Sequence, residues 1–229
     1  MNRIARRAAL ALGLALALAA HAQGPVKRVA LLTNTTVSTW LAGYNAVVLK
    51  ALDQNGVKGV NWTSPQDAAL QSQQVDDAIA QNYDLIIINS INEVALIPAL
   101  ERARKANIPV ILSVQSLPPG NENLYVSLVG HDTELTGRLA GEELIKALGD
   151  KGGRVAVIQG NPAQSQTRLI LHGFKQAIAK DPRVQIFAVE GKTWRPDEAG
   201  ALTRQLMLRA AAQGGLKGIY AMNDAQAAQ

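Results

Sequence analysis

Uncharged polar side chains follow many of the short apolar segments of this 229-residue chain, where they could bind a ligand through hydrogen bonds. Asn34, Asn89 and Asn223 each come directly after such a segment. Amide and hydroxyl groups form directional hydrogen bonds without a net charge, which suits a neutral, hydroxylated small molecule. The same residue types also cap helices and shape turns, so each residue alone has that second interpretation. The set, which includes one carboxylate, is Asn34, Ser38, Asn89, Ser90, Gln115, Asn161, Gln164, Asn223 and Asp224.

Two tryptophans occupy the same kind of position after an apolar segment. Trp40 follows the loop after the first segment, and Trp194 lies in a loop between Thr193 and Arg195. A flat indole face can pack on the apolar C–H face of a sugar ring. Trp40 also fits the apolar spacing of a helix, so a place in the core is its alternative. We predict that Trp194 contacts a ligand, whereas Trp62, at the end of a strand, is structural.

The sequence carries no motif typical of an enzyme. It has no glycine-rich phosphate loop, no GxSxG, no HExxH pair and no cysteine. The polar run at 33–36 stands where a dinucleotide-binding protein would have its glycines. Gly130-His131-Asp132 resembles a catalytic pair, but an aspartate that caps the following helix is the stronger interpretation. We therefore predict no catalytic residue, no bound metal and no cofactor.

Short apolar segments alternate with helical patterns from Lys27 onward, which predicts an α/β fold. Uninterrupted apolar strands joined by helices are typical of parallel sheets that are covered on both faces. One barrel or two open sheets would satisfy this pattern. The predicted strands are 29–32, 57–62, 84–89, 110–112, 125–129, 154–159, 184–189 and 218–222.

The Pro- and Gly-containing loop at Pro118–Asn121 favours two doubly wound sheets over one barrel. It predicts an N-terminal lobe at 23–115, a hinge crossover at 116–124 and a C-terminal lobe at 125–229. Ligands of open α/β sheets bind at the carboxyl ends of the strands, which is the edge that carries the polar set.

Residues 1–22 have the organisation of a secretory signal peptide. Three arginines precede an apolar run at Ala8–Ala20, and Ala20-His21-Ala22 forms a cleavage motif. This predicts cleavage after Ala22 and export, by either the general or the twin-arginine route. Without these three arginines the chain has 20 basic and 18 acidic residues, so the net charge of +5 is mostly in the leader. No basic stripe remains, and we expect no nucleic-acid partner.

The order and spacing of several short motifs resemble the type I periplasmic substrate-binding proteins of ABC sugar importers, the ribose-binding-like group. The motifs are VALLTN at 29–34, DLIIINS at 84–90, ANIPVI at 106–111, GRLAGE at 137–142, VIQG at 157–160, GF at 173–174 and YAMND at 220–224. The resemblance implies two doubly wound lobes around a hinge that close on one small molecule.

The same resemblance implies which residues bind the ligand. On the first lobe it implies Asn34, Ser38, Trp40 and Asn89. On the second lobe it implies Asn161 after VIQG, Trp194 as the stacking aromatic, and Asn223.

The chain also departs from the family pattern. Sugar binders often carry Asp-Arg where this chain has Val114-Gln115, and an arginine where it has Ile170. The nearest arginine is Arg168, which lies about 200° away around the helix. Gln115 and Arg168 are therefore the candidates at these positions. The chain stops at Gln229, where the family continues, so it is expected to be a C-terminally truncated member with an incomplete second lobe.

The leading prediction is a periplasmic, monomeric protein that captures a sugar-like molecule for an inner-membrane ABC permease. Amino-acid, autoinducer-type and nucleoside-like ligands remain open. A sensory protein that presents its ligand to a chemoreceptor or sensor kinase would have the same fold. A transcription regulator would need a DNA-binding segment where the leader stands, and an enzyme would need a nucleophile or a phosphate loop.

Overall fold

The computed structural model describes residues 25–34 and 39–229, which form two parallel sheets flanked by helices. The predicted signal peptide at 1–22 and the candidate Ser38 lie outside the described residues. Short 3-10 turns lie at Glu122–Leu124 and Gly149–Lys151. In chain order the other elements are β1 (Arg28–Thr33), α1 (Thr39–Gln54), β2 (Lys58–Thr63), α2 (Ala68–Ala80), β3 (Leu85–Ile88), α3 (Glu93–Lys105), β4 (Val110–Ser113), β5 (Ser127–Val129), α4 (Thr133–Leu148), β6 (Gly153–Ile158), α5 (Ser165–Ile178), β7 (Val184–Glu190), α6 (Pro196–Ala211), β8 (Gly218–Ala221) and α7 (Asp224–Ala227).

The first sheet has the strand order β2-β1-β3-β4-β5, and every neighbouring pair is parallel. In its strand β1, the residues Val29–Leu32 have no exposed surface. A strand covered by helices on both faces needs this continuous apolar sequence. The chain runs from β1 outward to β2 and returns to β3 on the other side of β1. Such a reversal opens a crevice at the carboxyl ends of β1 and β3, which lead to Asn34 and Asn89.

The chain passes from the first sheet to the second later than the sequence predicts. The segment at 116–124, predicted as the crossover, packs on the first sheet. Its residues Leu117 and Leu124 are buried in the core of that sheet. Strand β5, predicted to begin the second lobe, instead pairs with β4 and forms the edge of the first sheet. The passage lies at 130–132, between β5 and α4. The Pro- and Gly-containing loop thus connects two strands of the first sheet and does not link the two lobes.

The second sheet has the order β7-β6-β8, again with parallel pairs. Successive residues of β6 point to opposite faces, and both faces are covered. Val155 and Val157 belong to a core with Phe174 of α5, whereas Ala156 and Ile158 pack in a second cluster with Leu206 of α6. The predicted α/β fold with two doubly wound parallel sheets is confirmed.

Glycines bring α4 and α5 into close contact beside the second sheet. A Cβ atom on Gly137 would lie 1.9 Å from the carbonyl oxygen of Ile170, and one on Gly173 would lie 2.0 Å from that of Glu134. The structure shows a contact between two helices, with α5 held backbone to backbone against α4.

Candidate functional site

The carboxyl ends of β3 and β4 in the first sheet meet the start of α5, which follows β6 of the second sheet. The side-chain nitrogen of Gln164 donates to the carbonyl oxygen of Ser90 at 2.8 Å. The backbone nitrogen of Ser116 donates to Oγ of Ser165 at 3.2 Å. The two sheets therefore contact each other at the edge where the sequence places the polar set.

Asn89 and Gln115, two predicted site residues on neighbouring strands, are joined directly. Nδ2 of Asn89 donates to Oε1 of Gln115 at 3.0 Å and to the carbonyl oxygen of Ser113 at 3.2 Å. Nε2 of Gln115 donates across to Oε1 of Gln166, on α5, at 3.3 Å. Asn89 and Gln115 are each only 4% exposed. This amide chain links the first sheet to the second.

Asn34 and Trp40 flank the loop after β1. Oδ1 of Asn34 accepts from the backbone nitrogen of Gln66 at 3.0 Å, so this amide also shapes a loop. Trp40 is 56% exposed, which contradicts a place in the core. Its ring stacks on Tyr44, with centroids 5.5 Å apart and planes 7° from parallel. Burial raises the pKa of the Tyr44 hydroxyl, and its hydrogen bond with Ser113 acts in the opposite direction.

Trp194 packs on the second sheet in a loop that several polar groups hold. Its ring lies on Gly160, where a Cβ atom would come within 2.2 Å of the indole. Its Nε1 donates to Oε1 of Gln164 at 2.6 Å. The carboxylate of Glu198 accepts from the backbone nitrogen of Thr193 at 3.0 Å, and Nε2 of Gln226 donates to the carbonyl oxygen of Thr193 at 3.1 Å. The indole therefore has a defined orientation at the predicted edge.

Asn161 and Asn223 follow β6 and β8, but their oxygens serve the local backbone. Oδ1 of Asn161 accepts from the backbone nitrogen of Ala163 at 2.9 Å. Oδ1 of Asn223 accepts from the backbone nitrogen of Gln226 at 2.7 Å and caps α7. Asn161 therefore shapes a turn, whereas Asn223 caps a helix, as Asp132 does at the start of α4. A role of Asn161 and Asn223 in binding stays a prediction.

Arg168 pairs with a carboxylate that is not among the predicted site residues. Its Nη1 donates to the carbonyl oxygens of Pro162 and Ala163 at 3.3 and 2.7 Å. Its Nη2 lies 3.8 Å from Oε2 of Glu93, whose side chain has no exposed surface. Glu93 is in the first turn of α3, where acidic residues are common, so its position gave no sign of its burial.

Two cavities lie near these elements, and the predicted site residues line neither of them. One, of about 270 Å³, is beside the passage between the sheets and is lined in part by Val114, His131 and Leu169. The other, of about 640 Å³, lies between the end of α5 and β7, around Ile178 and Val184. At the candidate site the two edges touch each other.

Within residues 25–34 and 39–229, no group of three or more histidine, cysteine, aspartate or glutamate side chains is arranged to hold a metal ion. No helix in the same ranges has the length and apolar character needed to cross a membrane.

Comparison with known proteins gives a consistent picture. Residues 29–229 match the family described as periplasmic binding protein domain. The galactofuranose-binding protein YtfQ of Escherichia coli (strain K12) is 29% identical over 149 residues, which cover 65% of this chain and 47% of that protein. The D-ribose/D-allose-binding protein of Pseudomonas aeruginosa is 27% identical over 222 residues, covering 91% of this chain and 66% of that protein.

A solved structure shares the fold described above. It is an ABC transporter periplasmic solute binding protein from Actinobacillus succinogenes 130z with bound D-allose, with a TM-score of 0.77 and 25% identity. The match covers 88% of this chain and 70% of that one. The chain spans about half the length of the first curated relatives that it matches. Since the family match extends over nearly all of the described residues, the chain belongs to the periplasmic binding protein domain family.

Proposed function

We propose that this chain binds one small, uncharged, hydroxylated molecule, a sugar or a polyol, between its two sheets and carries out no reaction on it. The observation that carries the proposal is the meeting of amide side chains from both sheets at one edge, where Gln115 and Gln166 are 3.3 Å apart. Amide groups donate and accept at once, so they match hydroxyl groups, which do the same. The names of the relatives, which bind galactofuranose and ribose or allose, support this ligand class.

In this proposal the aromatic and amide residues have separate tasks. Trp194 and Trp40 supply flat apolar surfaces for the C–H face of the ligand. The amides, together with the hydroxyl of Ser38, bind its hydroxyl groups. Arg168 contributes indirectly, since the structure turns its guanidinium towards a loop and a carboxylate. The amides are Asn34, Asn89, Gln115, Asn161 and Asn223.

The names of the relatives and the predicted leader support a transport role. We propose export to the periplasm with cleavage after Ala22, and delivery of the ligand by a monomer to an inner-membrane ABC permease. Several of the matched proteins are named as import binding proteins, for D-apiose or for ribose. Intact mass of the protein from a periplasmic fraction tests the export step, because cleavage removes the first 22 residues. An uncleaved chain in the cytosol would contradict it.

A thermal-shift screen of the purified chain tests the ligand class. The probes are D-ribose, D-allose, D-galactose, myo-inositol and glycerol, with L-glutamate, L-lysine and adenosine as the contrasting chemistry. A ligand at about 100 times its Kd stabilises a folded protein by about 2.7 kcal/mol, which raises the melting temperature measurably. We expect at least one sugar or polyol to do so. Stabilisation by an amino acid or the nucleoside alone would contradict the proposal.

A further inference from the structure

Helix α5 begins without a cap from its own sequence. The first turn of a helix leaves backbone N–H groups without partners and carries a partial positive charge. Gln164 stands at the N-cap position, but its side chain makes no capping hydrogen bond, and the first turn of α5 holds no acidic residue. By contrast, α2, α3 and α4 are capped by Asp67, Asn92 and Asp132 of their own sequences.

A glutamate of the other sheet supplies the missing cap. Oε1 of Glu93, in the first turn of α3, accepts from the backbone nitrogen of Ser165 at 2.6 Å. Ser165 is the first residue of α5, so one carboxylate lies at the amino ends of two helices from two different sheets. The side chain of Glu93 is fully buried, and a buried carboxylate needs such compensation. The guanidinium of Arg168, 3.8 Å from Oε2, adds a second source of positive charge.

The same turn holds the indole of Trp194. Gln164 directly precedes Ser165, and its side chain bridges the carbonyl oxygen of Ser90 and Nε1 of Trp194 at 2.8 and 2.6 Å. When Ser165 is capped from the first sheet, Gln164 is held where it can accept from the indole. When that cap is absent, the first turn of α5 loses one of its fixed points.

We infer that Glu93 is a positioning residue that caps α5 across the two sheets and thereby sets the orientation of Trp194. The orientation of an aromatic on the second sheet then depends on contact with the first. Only the role of Trp194 in ligand binding rests on the proposed function. The cap and the bridge join atoms of the chain itself, so they can be tested without adding a ligand.

Fluorine NMR of the full chain labelled with 5-fluorotryptophan tests the inference. The sequence has three tryptophans, and the variants Trp40→Phe, Trp62→Phe and Trp194→Phe assign the three resonances. We expect Glu93→Ala to shift the Trp194 resonance while that of Trp62, which packs in the first core, stays in place. Glu101→Ala, an exposed glutamate on the same helix, is the matched control and should shift neither resonance. Glu93→Gln keeps an oxygen acceptor, so its Trp194 resonance should lie close to the wild-type position.

A second pair of variants changes Ser165 and leaves Glu93 in place. Ser165→Pro deletes the backbone N–H, and proline suits the first position of a helix. Gln164 already has the extended conformation, φ −88° and ψ 137°, that a following proline requires. We expect Ser165→Pro to reproduce the shift of Glu93→Ala, and Ser165→Ala, which keeps the N–H but loses the hydroxyl, to cause a smaller one.

Three results would overturn the inference. The Trp194 resonance could stay in place in both Glu93→Ala and Ser165→Pro. All three tryptophan resonances could move together, as in a general loss of structure. Ser165→Ala could equal Ser165→Pro, which would assign the effect to the hydroxyl. Because no ligand is added, a chain that binds no sugar or polyol would still give the expected shifts, so the two proposals fail separately.

Discussion

The two sheets present their carboxyl edges in different ways. On the first sheet the candidate amides are buried and joined across strands, as Asn89 is to Gln115. Gln71, also buried, fixes the loop beside them through the carbonyl oxygen of Asn89 and the backbone nitrogen of Ile91. On the second sheet the candidates lie in loops and turns, and Asn161 and Asn223 accept from backbone nitrogens two or three residues away.

The difference indicates that hydrogen bonds within the first sheet organise the first edge. The second edge depends instead on contacts that other elements make with α5. Cross-strand hydrogen bonds hold the first edge whether or not the sheets touch. The second edge depends on the placement of α5. Helix α4 packs closely against α5 along its glycines, and Glu93 accepts a hydrogen bond from the first residue of α5.

Gly137→Ala should have the largest effect, because it displaces α5. The added Cβ atom would lie 1.9 Å from the backbone oxygen of Ile170, a group that cannot move away without moving the helix. We expect a loss of roughly 3 kcal/mol in the free energy of unfolding, the upper part of the range for overpacking. Urea unfolding followed by circular dichroism measures it.

Gly43→Ala is the matched control on a helix of the first sheet. A Cβ atom on Gly43 meets nothing within 4 Å, so the change should leave stability equal or raise it by about 0.5–1 kcal/mol. If Gly137→Ala is as harmless as Gly43→Ala, the close contact between α4 and α5 does not place the second edge.

Asn89→Ala should cost more stability than Asn223→Ala. Removing the Asn89 amide leaves the buried Oε1 of Gln115 without its donor, at a cost of about 2 kcal/mol. Asn223→Ala removes one helix cap, worth about 1 kcal/mol. Thermal unfolding of both variants measures the difference. Equal losses would mean that the first edge is no more strongly organised than the second.

Trp194→Ala should weaken ligand binding about 5–30-fold, which corresponds to about 1–2 kcal/mol of stacking. Trp40→Ala should weaken binding less, since its ring is already stacked on Tyr44 and more than half exposed. Calorimetry with the sugar or polyol found in the screen gives both affinities, and Trp62→Phe controls for loss of an indole in the core. Unchanged affinity in Trp194→Ala would remove it from the site.

The sequence predicts the fold well because its signals are local. Asp132 caps the start of α4, as the sequence predicts, and Gly149 follows the end of that helix. Continuous apolar runs predict the strands, and the carboxyl ends of these strands locate the edge where Asn89 and Gln115 meet. The strand at Ser127–Val129 was given to the wrong sheet, because three residues do not specify which neighbour they pair with.

The contacts between the sheets could not be predicted in the same way. Glu93 and Ser165 are separated by 72 positions, and nothing in either local sequence signals that a charged side chain will be buried at the other helix. The start of α5 offered one signal of such a contact. A helix that begins at Ser165 without a capping side chain leaves backbone N–H groups that need acceptors from another element.

Asp181 gives the smallest predicted effect and a test at the opposite end of the second sheet. Hydrogen bonds from Arg183 lower the pKa of this carboxyl to about 2 from its usual 3.8. A group whose pKa is lower in the folded state stabilises the fold above its unfolded pKa, and this contribution disappears as the pH falls through the folded value. The wild-type melting temperature should therefore fall between pH 4 and pH 2 more steeply than that of Asp181→Asn. In an Arg183→Gln background the Asp181→Asn change should alter the slope less, because the side-chain hydrogen bonds, the largest cause of the lowered pKa, are gone while the backbone nitrogen at position 183 still donates to Oδ1 of Asp181. Parallel curves for wild type and Asp181→Asn would show that this pair contributes nothing to the acid response, and that the acid sensitivity of the second sheet originates elsewhere.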